Sequence, residues 1–168
     1  MAVLAVGAQG IHVISAEIVA GEEEYYLNAD FDLVLGPAVE SALSKGVPLT
    51  FVFEAQVTRP RWYWFDEVAA ETRSQYRLSY NALTQQYRVT VGNLFQNFST
   101  LAEALQLLSR IRNRPLAGRR ELEKGDPYQA AVRLRLDMTQ LPKPFQVTAL
   151  ASRDWSLNSE WYRWSFTP

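Results

Sequence analysis

Tyr25-Tyr26-Leu27-Asn28-Ala29-Asp30-Phe31-Asp32-Leu33 alternates without a break. Tyr25, Leu27, Ala29, Phe31 and Leu33 share one parity, and Tyr26, Asn28, Asp30 and Asp32 share the other. Side chains with a period of two belong to a strand, and one apolar row beside one polar row belongs to an antiparallel strand with a core on one side and water on the other. The chain around it repeats that grammar. Residues 11–19 are rich in β-branched side chains and read as a strand, joined to the quoted one by the charged turn at Gly21. Residues 48–56 read as a strand that includes Leu49, Phe51 and Phe53 on one face. Residues 73–80 and 87–91 pair as a hairpin, and Phe95 with Phe98 marks a short strand. Residues 128–136 place Val132, Leu134 and Leu136 inward and Arg133 and Arg135 outward. Residues 146–151 and 161–166 are expected to close the fold as strands, after a rigid extended connector over 141–145.

Two helices interrupt the strands. Pro37 at a first helical position, the stripe Val39, Ala42, Leu43 and the stop at Gly46 define a short one. The longer spans residues 100–111. Thr100 and Glu103 have the spacing of a capping box, and Leu101, Leu105, Leu108 and Ile111 recur at helical intervals. Strands follow strands rather than alternating with helices, so the expected fold is mainly β: an antiparallel β-sandwich of about eight strands with one short and one longer helix in its connections.

The composition fits one ordinary domain of 168 residues, with 48% hydrophobic and 21% charged side chains. The net charge of −1 gives no general attraction to nucleic acid, but its distribution is uneven. Residues 1–44 hold seven acidic side chains and no Lys or Arg, and the rest holds all 17 basic ones. With no cysteine there is neither a disulfide nor a thiolate metal site. The small apolar run from Ala2 to Ala8 reads as the tail of a secretory signal. Residues 1–10 are therefore expected to be a signal remnant or a disordered end, and 11–168 a single domain. The native gene is expected to start upstream, and the product to reach the periplasm or cell envelope.

The densest stretch for recognition is Thr58-Arg59-Pro60-Arg61-Trp62-Tyr63-Trp64-Phe65-Asp66-Glu67. Pro60 imposes extended backbone around itself, so Trp62 and Trp64 are expected on one side and Tyr63 and Phe65 on the other. One reading puts a pair in the core. The other makes Arg59, Arg61, Trp62, Trp64 and Asp66 a binding surface, since Trp, Tyr and Arg dominate interface hot spots and membrane-surface contacts. Asp66 and Glu67 are expected to pair with Arg59 or Arg61 across a turn rather than to act as an acid–base pair. A second candidate patch is the run Arg110, Arg112, Arg114, Arg119 and Arg120, which is either a phosphate contact or a solvated loop at a helix C-terminus.

Catalysis finds little footing. His12 is the only histidine, and no nucleophile elbow or Gly-rich phosphate loop is present. Asn28, Asp30 and Asp32 share a strand face that offers oxygens to Ca²⁺, but an ordinary exposed face looks the same. No cofactor, metal or nucleic acid is expected. The chain reads as a non-enzymatic envelope module acting through a protein partner or a membrane surface. The alternative is a small-ligand carrier or enzyme with a pocket lined by Trp62, Trp64, Trp155 or Trp161.

The segments 25–31, 58–67, 80–84, 141–147 and 151–155 together resemble a proteobacterial family of uncharacterised exported proteins, a domain-of-unknown-function family carrying a TRPRWYWFDE-like motif. The resemblance implies a periplasmic or envelope-associated protein, and a gene neighbourhood that often includes a sensor histidine kinase of the nitrogen-regulation type. It implies no functional residues.

Overall fold

The computed structural model describes residues 9–61 and 65–168. Among them the elements in chain order are β1 (Gly10–Ala20), β2 (Glu24–Val34), α1 (Pro37–Ser44), β3 (Leu49–Arg59), β4 (Glu67–Asn81), β5 (Gln86–Val91), β6 (Leu94–Phe98), α2 (Leu101–Ser109), β7 (Arg110–Gly118), β8 (Tyr128–Leu136), α3 (Lys143–Ala151) and β9 (Tyr162–Phe166). The strands form two antiparallel sheets, one ordered β1-β2-β7 and the other β6-β5-β4-β3-β8-β9. The two are arranged as a sandwich, as the alternation predicts.

The inner parity of β2 meets the inner parity of β3. Tyr25, Leu27, Ala29, Phe31 and Leu33 are buried, and so are Leu49, Phe51, Phe53, Ala55 and Val57. Phe31 packs edge-on against Phe53 with ring centres 6.0 Å apart, and Tyr25 does the same with Phe166 at 5.7 Å. Such edge-to-face pairs add about 0.5–1.5 kcal/mol each to the area they bury. β3 is the middle strand. It pairs with β4 on one edge and with β8 on the other, so its ladder is satisfied on both sides. Its outward Val52 is fully buried as well, and its register neighbours are Gln75 and Arg135.

Two segments differ from the reading of the sequence. Residues 146–151 form no strand; they belong to α3, which already starts at Lys143. Pro142 and Pro144 do not hold an extended connector there. Proline is tolerated in a first helical turn, where its missing N–H has no intrahelical partner, and the N–H groups of Phe145 and Gln146 donate to the Pro142 carbonyl at 2.9 and 3.2 Å. The helix buries Ala149 and sets Phe145 beside Trp155.

The second difference is β7. The spacing predicts a helix to residue 111, followed by an arginine run that is either a phosphate contact or a solvated loop. The helix stops at Ser109, and Arg110 takes extended backbone to begin a strand along β2. Two register shifts in that pairing explain why the strand was hidden. The residues opposite the inward Ala29, Leu27 and Tyr25 are Ile111, Arg114 and Ala117, a spacing of three instead of two. Asn113 sits in the left-handed region with φ of 51°, and its N–H donates to the Asn28 side chain at 2.9 Å.

The N-terminus of α2 is as expected: the Thr100 hydroxyl accepts from the Glu103 N–H at 3.3 Å. Ala104 and Leu108 are fully buried, while Leu105 is only partly so. Leu108→Ala is expected to cost about 2–5 kcal/mol, and Leu105→Ala roughly 1–2 kcal/mol in keeping with its partial burial. Chemical denaturation of both variants measures this; equal losses would contradict the packing described.

Candidate functional site

The aromatic–arginine stretch leaves β3 at Pro60 and re-enters at β4. Trp62, Tyr63 and Trp64 lie outside the described residues. The groups around them are tied into the fold. Arg59 donates to the Tyr128 hydroxyl at 2.7 Å, lies 5.3 Å from the centre of that ring and faces Glu123 and Asp126 at 3.6 and 3.4 Å. It therefore clamps the end of β3 to the connection between β7 and β8. Arg61 pairs with Glu67, and its N–H approaches the Asp66 carboxylate at 3.4 Å, which is the pairing across a turn that the sequence predicts. The Arg61 hydrogen bond holds the Glu67 carboxyl below its ordinary range. Phe65 is 82% exposed.

The arginine run from 110 to 120 is dispersed by the strand it forms. Arg112 pairs with Asp30 at 2.7 Å and also donates to the Ala29 carbonyl. Arg114 turns inward and donates to the Tyr76 hydroxyl; burial pushes that phenol up, against the pull of the guanidinium. Arg119 donates to the Gly21 carbonyl at 2.9 Å and lies over the Tyr25 ring. Arg110 lines a groove described below, and Arg120 is exposed in the turn after β7. These five cations serve at least three different places.

A cluster that the sequence does not announce lies on the outer face of the six-stranded sheet. Residues opposite one another in a ladder point to the same side. Glu54, outward on β3, is opposite Arg73 on β4 and Arg133 on β8. The same parity carries Arg77 on β4, Arg88 on β5, Arg135 on β8 and, through Ala131, Arg163 on β9. Among the described strand residues, the carboxylates on this face are Glu54 and Glu71, the latter opposite Gln56. Six guanidinium groups thus share one sheet face with two acids.

Glu54 is the hub. Its side chain is 15% exposed and accepts from Arg133 and from both Nε and Nη2 of Arg135, at 3.3 and 3.0 Å. Burial pushes its carboxyl up, but the hydrogen bonds and charges of Arg133 and Arg135 outweigh that and hold it below the usual range. Arg133 also stacks 4.5 Å from the Trp161 ring centre, and Arg163 stands 6.0 Å from the same ring. Asp137, just past β8, is likewise pushed up by burial and brought below its usual range by hydrogen bonds from Thr139 and Gln140.

Three depressions open on this face. One of about 470 Å³ lies between Glu54, Glu71, Arg73 and Trp161. Another of about 550 Å³ is lined by Thr50, Gln75, Arg77 and Gln140, and a third of about 430 Å³ by Ser79, Asn81, Arg88 and Asn97. A separate groove of about 570 Å³ runs between α2 and β2, where Asp30, Asp32, Arg110 and Arg112 meet Leu105. Arg59 and Asp66 are not part of it. Asn28 gives its amide to Glu17 and its carbonyl to the Asn113 N–H, and Asp30 accepts from Ser15 and Arg112. Trp155 is buried against Phe145 while Trp161 stands on the outer face, so these two do not line a common pocket between the sheets.

A carboxyl held below its unfolded value contributes stability above that value and loses it as pH falls through the folded one. Glu54→Gln is therefore expected to lower stability at pH 7 by about 1–3 kcal/mol. The gap should shrink once pH drops below about 4, where the parent protein must protonate the same group. Urea denaturation over a pH series checks this; a gap independent of pH would contradict it.

The chain matches the family model described as Domain of unknown function (DUF4390) over residues 8–165. No curated protein and no solved structure matches it significantly. The matched span takes in both sheets, all three helices and the arginine-bearing face, and the chain is a member of the DUF4390 family.

Proposed function

We propose that this chain is a non-enzymatic binding module of the cell envelope, acting by surface contact with a protein partner or a membrane surface. The observation that carries the reading is the outer face of the six-stranded sheet: among the described residues it holds six arginines and two acids, and Arg73 and Arg77 are exposed on it. A sheet face that folds on its own core and needs no cover is free to be covered by something else. Arginine is the side chain best suited to such a face, because its planar fork keeps its charge and meets carboxylate or phosphate with paired hydrogen bonds. The apolar run from Ala2 to Ala8 supports an envelope setting, as does the resemblance to exported proteobacterial proteins, with the sensor histidine kinase neighbourhood it implies.

The test is sedimentation of the full chain with isolated envelope fragments. Arg77→Glu combined with Arg163→Glu is expected to abolish co-sedimentation while the melting temperature stays within a few degrees. Unchanged co-sedimentation would overturn the reading.

A second reading is favoured by the groove between α2 and β2, where two acids and two arginines converge beside an apolar wall. It would suit a small zwitterionic ligand. In that case Asp32→Asn with Arg110→Gln removes a ligand-induced thermal shift and leaves envelope binding intact.

A further inference from the structure

We propose that the outer face of the six-stranded sheet docks on an anionic lipid surface, with the arginines reading phosphate headgroups and aromatic side chains seated at the bilayer interface. The inference rests on the binding-module reading above and names the partner.

The first argument is the extent of the array. Arg88 on β5 and Arg163 on β9 are separated by four strand intervals, roughly 19 Å across the sheet, and by eight ladder positions, roughly 26 Å along it, and Arg73 and Arg77 lie roughly 13 Å apart along β4. One small anion meets one or two of these cations. An extended layer of phosphates engages several of them at once. The second argument is charge. On the outer face of the three-stranded sheet, Glu17, Asp30 and Asp32 offset Arg110 and Arg112. On the large sheet the two acids leave an excess of four positive charges. Glu54 is already shared by Arg133 and Arg135, so Arg73, Arg77, Arg88 and Arg163 supply most of that excess, and none of them forms an ion pair among the described residues.

The third argument is the company the arginines keep. Phe95 of β6 is opposite the outward Thr90, so it stands on the same face; it is 59% exposed, and the Arg88 guanidinium lies 4.1 Å from its ring centre. At the other edge Trp161 stands between Arg133 and Arg163. Leu83, at the tip of the β4–β5 turn, is 95% exposed. Basic side chains among interfacial aromatics are the composition of surfaces that lie on membranes, where the cations take the headgroups and the rings take the boundary with the acyl chains. The three depressions between the arginine rows are places for headgroups to enter.

The experiment is co-sedimentation of the full chain with vesicles of equal parts phosphatidylglycerol and phosphatidylethanolamine, and with vesicles of phosphatidylcholine alone. Binding is expected to the anionic vesicles only, and it should weaken steeply with added salt. Removing three cations with Arg73→Gln, Arg77→Gln and Arg163→Gln should lower the affinity roughly a hundred-fold. Phe95→Ser should lower it several-fold without altering net charge. Arg119→Gln with Arg120→Gln, in the turn that follows the smaller sheet's β7, should leave it unchanged. Thermal melting of every variant separates loss of binding from loss of fold. Equal binding to both vesicle types, or anionic binding indifferent to the triple variant, would overturn the proposal. If the chain binds isolated envelope fragments through this face and ignores the vesicles, the partner is a protein: the lipid assignment then falls and the binding-module reading stands. If it binds neither, both fall.

Discussion

The contact between Phe31 and Phe53 fixes more of this molecule than any other. It joins the two sheets at their middle strands, and because strand side chains alternate, it sets the parity of every residue on β2 and β3. With Phe53 inward, Glu54 must face out. With Glu54 out, its ladder partners Arg73 and Arg133 face out too, and the rule propagates to β5 and β9. The arginine face is thus the other side of the aromatic core. A one-residue slip of β3 would turn Phe51 and Phe53 outward and carry Glu54, the hub of the arginines, into the core, so register and surface chemistry are specified together.

Glu54 shows how such a face tolerates its own charge. Six guanidinium groups on neighbouring strands repel one another, and the crowding is worst where Arg133 and Arg135 share β8. A single carboxylate between them, with Trp161 over one cation, offsets the repulsion at the centre while the periphery stays positive. The same arrangement makes the centre rigid and leaves the rim available. Arg59 does a different job. It is bound to Tyr128, Glu123 and Asp126, so it belongs to the scaffold although it stands in the stretch that looks most like a recognition motif.

Much of the fold could be read from the chain, and the reasons for the exceptions are physical. β2, β3, β8 and the hairpin of β4 and β5 have clean alternation, and nothing in their environment contradicts it. β7 was hidden because two register shifts convert its inward spacing from two to three. α3 was hidden because prolines that look like breakers sit where a helix accepts them, and its apolar Val147 and Leu150 face solvent, which blurs the periodicity. The basic face was the least legible part. Its arginines come from four strands, each an unremarkable outward residue in its own segment, whereas the run from 110 to 120 is conspicuous in sequence and scattered in space. Sequence density marks a site only when the local structure keeps neighbours on one side.

The pairing of β3 with β8 has a consequence for how the chain reaches this state. Phe51 meets Leu136, and Ala29 meets Ile111, so both middle strands depend on partners more than 80 residues further along. Contacts so distant in sequence close slowly, because loop entropy is lost before the contacts form. During synthesis, β1 with β2 and β3 with β4 emerge as hairpins in which the edges of β2 and β3 that later meet β7 and β8 are open. Those edges belong to the strands that carry Phe31, Phe51 and Phe53, and they stay open until residues 110–136 arrive. A nascent chain in that condition is loosely held and prone to pair with whatever strand it meets. A holding chaperone has good reason to cover such a chain until its late strands arrive.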